Sequence, residues 1–353
     1  MLGGTMNICF VVDHWEELNP ETDSTLRLVK EACSRGHNVG ILYPRNLTVR
    51  DNITYGLFSM VNPPEKIGDK ASTFYQKVKL EKKRLPLKGF DAVILRKNPP
   101  LDWLMLNFLD SVKNDTIVIN SVDGLRMANN KLYLTTFEDS HEYIPETYVS
   151  KDKDYLLETI ESSRRNKFVL KPLDGFGGSG VILIEKSAMG NVKSLLDFYI
   201  GGSERRNYVI LQEFVASKGN SDVRILMLNG DPIGSMRRIA AEGEVRANIK
   251  VGGNAVKHQL SKHEKEICRL VGPKLVKDGI HFTGIDLVGD KLIEVNVLSP
   301  GGIVNINKLN KTRLEKLFID FVEQTYRKTE NALLQKMAFK REVSTRGLDC
   351  ANG

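Results

Sequence analysis

Cysteine is scarce in this chain, and its four copies, Cys9, Cys33, Cys268 and Cys350, stand far apart with no Cys-x-x-Cys pair. That spacing argues against a structural zinc site and suits a reducing cytoplasm. No apolar run is long enough to span a bilayer. The opening Met1-Leu-Gly-Gly-Thr has neither the charged region nor the apolar stretch of a secretory signal. A cytoplasmic protein with no membrane partner is therefore expected. Internal repeats are missing too. So are an H-R-D-x-x-x-x-N kinase loop and a convincing Ser-His-Asp or Cys-His set. His14, His141 and His281 are left to structural or substrate contacts. The formal net charge is +7. Yet the basic residues are spread out, and no aromatic–basic signature of RNP type accompanies them. Small anionic ligands explain that charge better than nucleic acid does.

A length of 353 residues exceeds one ordinary core, so two or three lobes are expected. Through residue 125 strand and helix patterns alternate. Strands are read at 7–12, 38–42, 91–95 and 116–119, and helices at 22–35 and 102–112. This alternation implies a parallel, Rossmann-like sheet with ligands at the strand carboxyl ends. Polar residues follow those ends: Asp13-His14, Arg96-Lys97-Asn98 and Asn120-Ser121. Residues 46–88 are lysine-rich and weakly periodic. They read as an excursion with some helix near 71–83, and Lys77 to Arg84 as a solvated helix. From 126 onward the pattern becomes antiparallel α+β. Helices are expected at 129–136, 154–162, 262–278 and 311–326, and strands near 148 and at 167–171, 208–214, 222–228 and 233–239. The expected units are 1–125, a small lobe at 126–210, a large lobe at 211–330 and a charged tail at 331–353.

The run from Thr283 to Pro300 carries the chemistry. On an apolar background it places Asp286, Glu294 and Asn296, all hard oxygen donors of the kind magnesium takes. Glu294 and Asn296, two apart, share one strand face. Asp286 precedes a turn at Gly289-Asp290. For Asp286 and Glu294 to share a face, the turn must hold an odd number of residues or the hairpin a bulge. A three-residue turn, Gly289 to Lys291, is expected.

Phe168 to Ile184 contains Gly175, Gly177, Gly178 and Gly180 between two strand patterns. A glycine-rich hairpin tip lets backbone N–H groups approach phosphate oxygens. Lys171, ending the incoming strand, supplies a point charge. Taken alone, Lys131 reads as a solvated lysine at a helix start, and Gln212-Glu213-Phe214-Val215 is only a weak candidate for a hinge reading an adenine edge. Farther on, Asp222 and Arg224 share a strand face, and Arg238 ends a strand. A glycine-bounded polar stretch, 239–253, holds Arg246 and Asn248 and reads as a mobile loop. Arginines here offer planar forks for carboxylates and phosphates.

In this order the pieces resemble the ATP-grasp superfamily, and within it the bacterial glutathione synthetase family, over roughly residues 6–327. The resemblance rests on Arg96-Lys-Asn-Pro-Pro, Asn130-Lys131-Leu-Tyr, Lys171-Pro-Leu-Asp-Gly-Phe-Gly-Gly, Asp222-Val-Arg224, Gly243-Glu-Val-Arg246-Ala-Asn248, Gly284-Ile-Asp286 and Glu294-Val-Asn296-Val-Leu-Ser-Pro. It implies a Rossmann-like N-terminal domain followed by a two-lobed ATP-grasp domain of antiparallel sheets. ATP would sit between the lobes, with Lys131, Lys171, Gly175, Gly177 and Gly178 on its phosphates and Gln212 to Val215 at its base. Asp286, Glu294 and Asn296 would hold two Mg²⁺, with Mn²⁺ an admissible substitute. Arg224, Arg238, Arg246 and Asn248 would serve catalysis, and Asp13, Arg96, Asp222, Ser299, Gly301 and Gly302 would bind the peptide-like substrate and the amine.

The implied reaction is ATP-dependent amide formation through an acyl phosphate, joining γ-glutamylcysteine to glycine. Gly301-Gly302-Ile303 departs from the family's usual Thr or Ser and small residue, which leaves room for another amine. A related ligase, or an ATP-binding regulator without turnover, are the alternatives. Self-association is left open.

Overall fold

A computed structural model describes residues 4–138, 140–173, 180–201, 207–217, 219–241, 247 and 252–349, the stretch 341–349 as backbone only. The expected contacts of Gly175, Gly177, Gly178, Arg246 and Asn248 lie outside the described residues.

The first sheet opens with β1 (Asn7–Val11). Helix α1 (Ser24–Ser34) follows, its start capped by Asp23, whose side chain accepts from the Leu26 N–H. It stops at Gly36, whose φ of +82° suits a residue without Cβ. Next come β2 (Asn38–Leu42), β3 (Leu47–Arg50), β4 (Ile53–Asn62), α2 (Ala71–Lys77), β5 (Lys79–Pro86), β6 (Ala92–Leu95), α3 (Trp103–Asp110) and β7 (Ile117–Ile119). Strands β2-β1-β6-β7 form the expected parallel core. The lysine-rich excursion turns out otherwise. Strands β3, β4 and β5 extend the same sheet antiparallel, with β5 paired to β4 from Lys79↔Asn62 to Pro86↔Tyr55. Its lysines are exposed, so strand pairing rather than local propensity decides this segment. The helix expected over 77–84 is absent.

Helix α4 (Val122–Ala128) was not read from the sequence, and the helix expected at 129–136 is a tighter 3-10 turn over Lys131–Thr136. The second sheet takes β8 (Thr147–Ser150), β9 (Lys167–Pro172), β10 (Ile182–Glu185) and β11 (Val209–Glu213) in the order β10-β9-β11-β8, covered by α5 (Lys153–Ser162) and α6 (Met189–Ile200). The third holds β12 (Ser221–Leu228), β13 (Asp231–Ile239), β14 (Asn254–Lys257), β15 (Phe282–Val288) and β16 (Lys291–Asn296), ordered β14-β13-β12-β15-β16 and antiparallel throughout. Helix α7 (Lys262–Lys277) begins with a capping box of Ser261 and Glu264. After α8 (Ile303–Asn310), the last helix α9 runs from Leu314 to Asp349, well past the expected end at 326, and is exposed on every side from 327 to 340.

Apolar packing joins the first and third sheets. One cluster takes Val93, Leu106 and Leu125 together with Ile285, Leu292 and Val271, and a second takes Phe10, Leu26 and Ile94 with Phe282, Ile306 and Phe318. The second sheet buries Leu156, Phe168, Leu170, Leu196 and Leu211 in a cluster of its own. Asn120, just past β7, stitches the two joined sheets. Its side-chain amide donates to the carbonyls of Phe282 (2.7 Å) and Val297 (2.8 Å) and accepts from the Phe282 N–H (2.7 Å).

Candidate active site

The β15–β16 hairpin resolves the parity question. Val288 pairs with Lys291, so the turn holds two residues, not the expected three. Between Asp286↔Glu294 and Leu287↔Leu292 the register shifts, leaving Ile293 as a bulge. The bulge restores the alternation, and Asp286 opposes Glu294 across the ladder. Asn296 lies two residues on, and its Nδ2 donates to Asp286 Oδ2 at 3.2 Å.

Asp286 is 2% exposed. On the neighbouring strand Arg224 stands directly opposite it and grips both carboxylate oxygens, with Nη2 to Oδ2 at 2.7 Å. Arg238 reaches Oδ2 at 3.0 Å and forks onto Asp222 at 2.6 and 2.7 Å. Burial alone would raise the Asp286 pKa. The two guanidiniums outweigh it and hold the group at about 2. Asp222 goes the other way: burial pushes it up, Arg238 pulls it back only in part, and the Asp286 charge adds to the rise. Burial works against the charge on Arg238, yet Asp286 and Asp222 raise its pKa above the ordinary guanidinium value. Gly284 lies under this fork, where a Cβ would come within 3.1 Å of the Arg224 side chain.

Lys131 stands 3.9 Å from Glu294 Oε1, and its N–H donates to the Leu173 carbonyl at the end of β9 (3.4 Å). From β9, Lys171 donates to Gln212 Oε1 at 2.7 Å, and Gln212 donates to Thr147 Oγ1. Burial lowers Lys171 to about 8, with Glu294 opposing and Lys131 adding to the fall. The lysine pair and the arginine pair therefore meet around the hairpin. A cavity of about 240 Å³ opens there, lined by Lys131, Glu294, Asn296, Leu173, Pro100 and Trp103.

Arg96 and the loop after β16 complete the enclosure. Arg96 Nη1 donates to the Pro300 carbonyl (3.1 Å), Arg224 Nη1 to the Gly301 carbonyl (3.3 Å), and Ser299 Oγ to the Arg96 carbonyl (3.2 Å). Burial lowers the Arg96 pKa to about 10. Four cationic side chains, Arg224, Arg238, Lys131 and Lys171, thus meet three carboxylates, Asp222, Asp286 and Glu294. That surplus suits a polyanion.

The remaining expected residues lie at the margins. Gln212 is committed through its side chain to Lys171 and Thr147, and its backbone lies in the ladder between β8 and β9. Glu213 pairs with Arg165, and the Phe214 N–H donates to the Lys167 carbonyl. The tip of the metal-type hairpin touches this segment, since a Cβ at Gly289 would lie 3.3 Å from Val215. Asp13 accepts from the Asn98 N–H (2.7 Å) and pairs with Lys97 (3.4 Å) beside a different cavity, of about 460 Å³. No local signal marks Thr147, whereas Gly284 stands in the Gly284-Ile-Asp286 segment that carries the resemblance.

Asp286, Glu294 and Asn296 fit a divalent cation in chemistry and convergence. Glu294 is half-buried, with the Lys131 amino group 3.9 Å from Oε1, and Asn296 donates its amide N–H to Asp286, which leaves its own oxygen as an acceptor.

Lys171 gives a pH expectation. With its folded pKa near 8, below the ordinary lysine value, it loses its charge as pH rises through 8. The KM for ATP should climb about tenfold from pH 7.5 to 9.5. Over the same window the unfolded chain binds more protons at this group, so its contribution to stability increases with pH. Melting and initial-rate measurements at matched pH read both. A flat KM would contradict the assignment of Lys171 to phosphate.

The chain is similar to known proteins over most of its length. The family model described as prokaryotic glutathione synthetase, N-terminal domain, matches residues 6–126, and that for the ATP-grasp domain matches 130–311. A glutathione synthetase of Nostoc sp. is 33% identical over 331 residues, covering 90% of this chain and 98% of the relative. That of Synechocystis sp. is 34% identical over 328 residues, 91% of this chain and 100% of the relative. Among solved structures, the D-cycloserine synthetase DcsG superposes with a TM-score of 0.61 at 16% identity, over 89% of this chain and 99% of the other. The ATP-grasp ligase PsnB, solved with a precursor variant, Mg and ADP, gives 0.58 at 14% identity, over 92% and 99%. Both share the fold.

Proposed function

Since the chain belongs to the prokaryotic glutathione synthetase family, we propose that it joins the carboxylate of γ-glutamylcysteine to the amine of glycine at the expense of ATP. It is an ATP-grasp ligase forming a C–N bond. The observation that carries the residue-level reading is the meeting of Arg224, Asp286 and Glu294 on one sheet face with Lys131 and Lys171 above them.

In the first step a carboxylate oxygen of the peptide attacks the γ-phosphorus. The bond to the bridging oxygen of ADP breaks, and an acyl phosphate forms. Lys131 and Lys171 orient the triphosphate. Arg224 and Arg238, already held by Asp286 and Asp222, present fixed positive charge where the acyl phosphate and the later oxyanion develop negative charge. The amine then attacks the acyl carbon, phosphate leaves, and the nitrogen gives up a proton. No side-chain nucleophile takes part. Asp286, Glu294 and Asn296 would hold magnesium, two ions in our reading, whose charge offsets that of the triphosphate. The stretch 239–253 would shield the acyl phosphate from water. A reducing cytoplasm suits the free, buried thiols of Cys9, Cys33 and Cys268.

ADP release over a panel of dipeptides and amines tests this. The expected result is release only with ATP, magnesium, γ-glutamylcysteine and glycine together. Release that requires a larger amine would assign a different ligase. No release with any pair would indicate an ATP-binding regulator.

A further inference from the structure

Three polar side chains share the face of the second sheet that turns away from its apolar cluster. Strand β8 is the edge of that sheet, and Thr147 on it stands directly opposite Gln212 of β11. Lys171 of β9 lies on the diagonal, since Gln212 pairs with Val169 and Ile210 with Lys171. The alternate residues Phe168, Leu170, Val209 and Leu211 fill the cluster on the other face. Gln212 is 3% exposed, so both ends of its amide need partners within the protein.

The hydrogen bonds run in one direction. Lys171 Nζ donates to Gln212 Oε1 (2.7 Å), Gln212 Nε2 donates to Thr147 Oγ1 (2.8 Å), and Thr147 Oγ1 donates to the Pro145 carbonyl (2.7 Å). An ammonium group can only donate. The Thr147 proton is taken by Pro145, which leaves the hydroxyl oxygen as an acceptor for the amide N–H. The direction is therefore set from the far end. Pro145 orients Thr147, Thr147 orients the amide, and the amide oxygen meets the ammonium. Turned over, Gln212 would set N–H against N–H at Lys171.

We propose that Thr147 is a positioning residue for ATP: it holds the Gln212 amide oxygen toward Lys171, and so keeps the ammonium charged and in place for the phosphates. This rests on the ligase reading above and on Lys171 as a phosphate contact, and it extends the site to an edge strand that touches no reacting atom.

The test measures KM for ATP and kcat, at saturating γ-glutamylcysteine and glycine, in wild type, Thr147→Val, Thr147→Ser, Gln212→Glu and the double variant Thr147→Val/Gln212→Glu. Thr147→Val should raise the KM for ATP about tenfold and leave kcat within about twofold, and Thr147→Ser should restore the wild-type value. A carboxylate has an oxygen at both ends and no N–H, so it needs no orienting. In the Gln212→Glu background the Thr147→Val penalty should therefore shrink to about twofold or less. An equal penalty in both backgrounds overturns the proposal, because Thr147 would then act through the shape of β8 alone. So does a serine variant as poor as the valine one, or a valine variant with KM unmoved. Should Thr147→Val not fold, Gln212→Met against Gln212→Glu decides. Methionine offers no oxygen to Lys171 and should give a KM about tenfold higher, and equal values overturn the relay. If wild type released no ADP, the ligase reading would fall, and the same ratios of ATP dissociation constants, measured by calorimetry, would decide the relay.

Discussion

Glu294→Gln should lower kcat by about a thousandfold while leaving thermal stability nearly unchanged. Glu294 is half-buried, and the Lys131 amino group beside it lies 3.9 Å away, a distance at which the pair adds little to folding. Glutamine keeps the shape and one acceptor oxygen but loses the charge that a magnesium ion requires. Asp286→Asn should abolish turnover as well, but with a second consequence. Asp286 is the common partner of Arg224 and Arg238, and removing its charge leaves the buried Arg224 guanidinium without a carboxylate, while Arg238 keeps Asp222. That costs about 3–5 kcal/mol of stability. Single-turnover ADP formation and thermal melting, run on both variants, separate the effects. Glu294→Gln with more than about a tenth of wild-type turnover would remove Glu294 from the metal site.

Asn120→Ala should destabilise the chain by about 3 kcal/mol or more, one of the largest effects expected away from the reacting groups. The side chain is 4% exposed and makes three hydrogen bonds to backbone groups at the two ends of the β15–β16 hairpin. Truncation leaves the Phe282 N–H and carbonyl and the Val297 carbonyl without this partner, in a place water does not readily reach. Urea unfolding at equilibrium measures the loss. A change below about 1 kcal/mol would mean that the joined sheets do not depend on this clip.

Much of this was legible in the sequence, for physical reasons that differ from place to place. The strands of the parallel core announce themselves because both their faces are buried, which forces continuous apolar runs such as Ile8 to Val12. Asp286, Glu294 and Asn296 were recoverable because parity is a local rule. Parity accepts a bulge and an odd turn equally, so the choice of Ile293 over a longer turn was not recoverable. Strand β5 was missed because lysines carry no alternation when both faces are wet. The grip of Arg224 on Asp286 and the clip at Asn120 join residues 62 and 162 positions apart. Such pairings exist only once strands have found their neighbours, and no window along the chain displays them.

The separate core of the four-stranded sheet has a consequence for how ligand and motion are linked. Lys171 belongs to that sheet, whereas Lys131 sits in the turn whose Tyr133 and Leu134 pack into the larger body. The buried apolar cluster under that sheet shares no residue with the other two. A phosphate chain lying across both ammonium groups would tie that sheet to the larger body, and transfer of the γ-phosphoryl group to the carboxylate would loosen the tie.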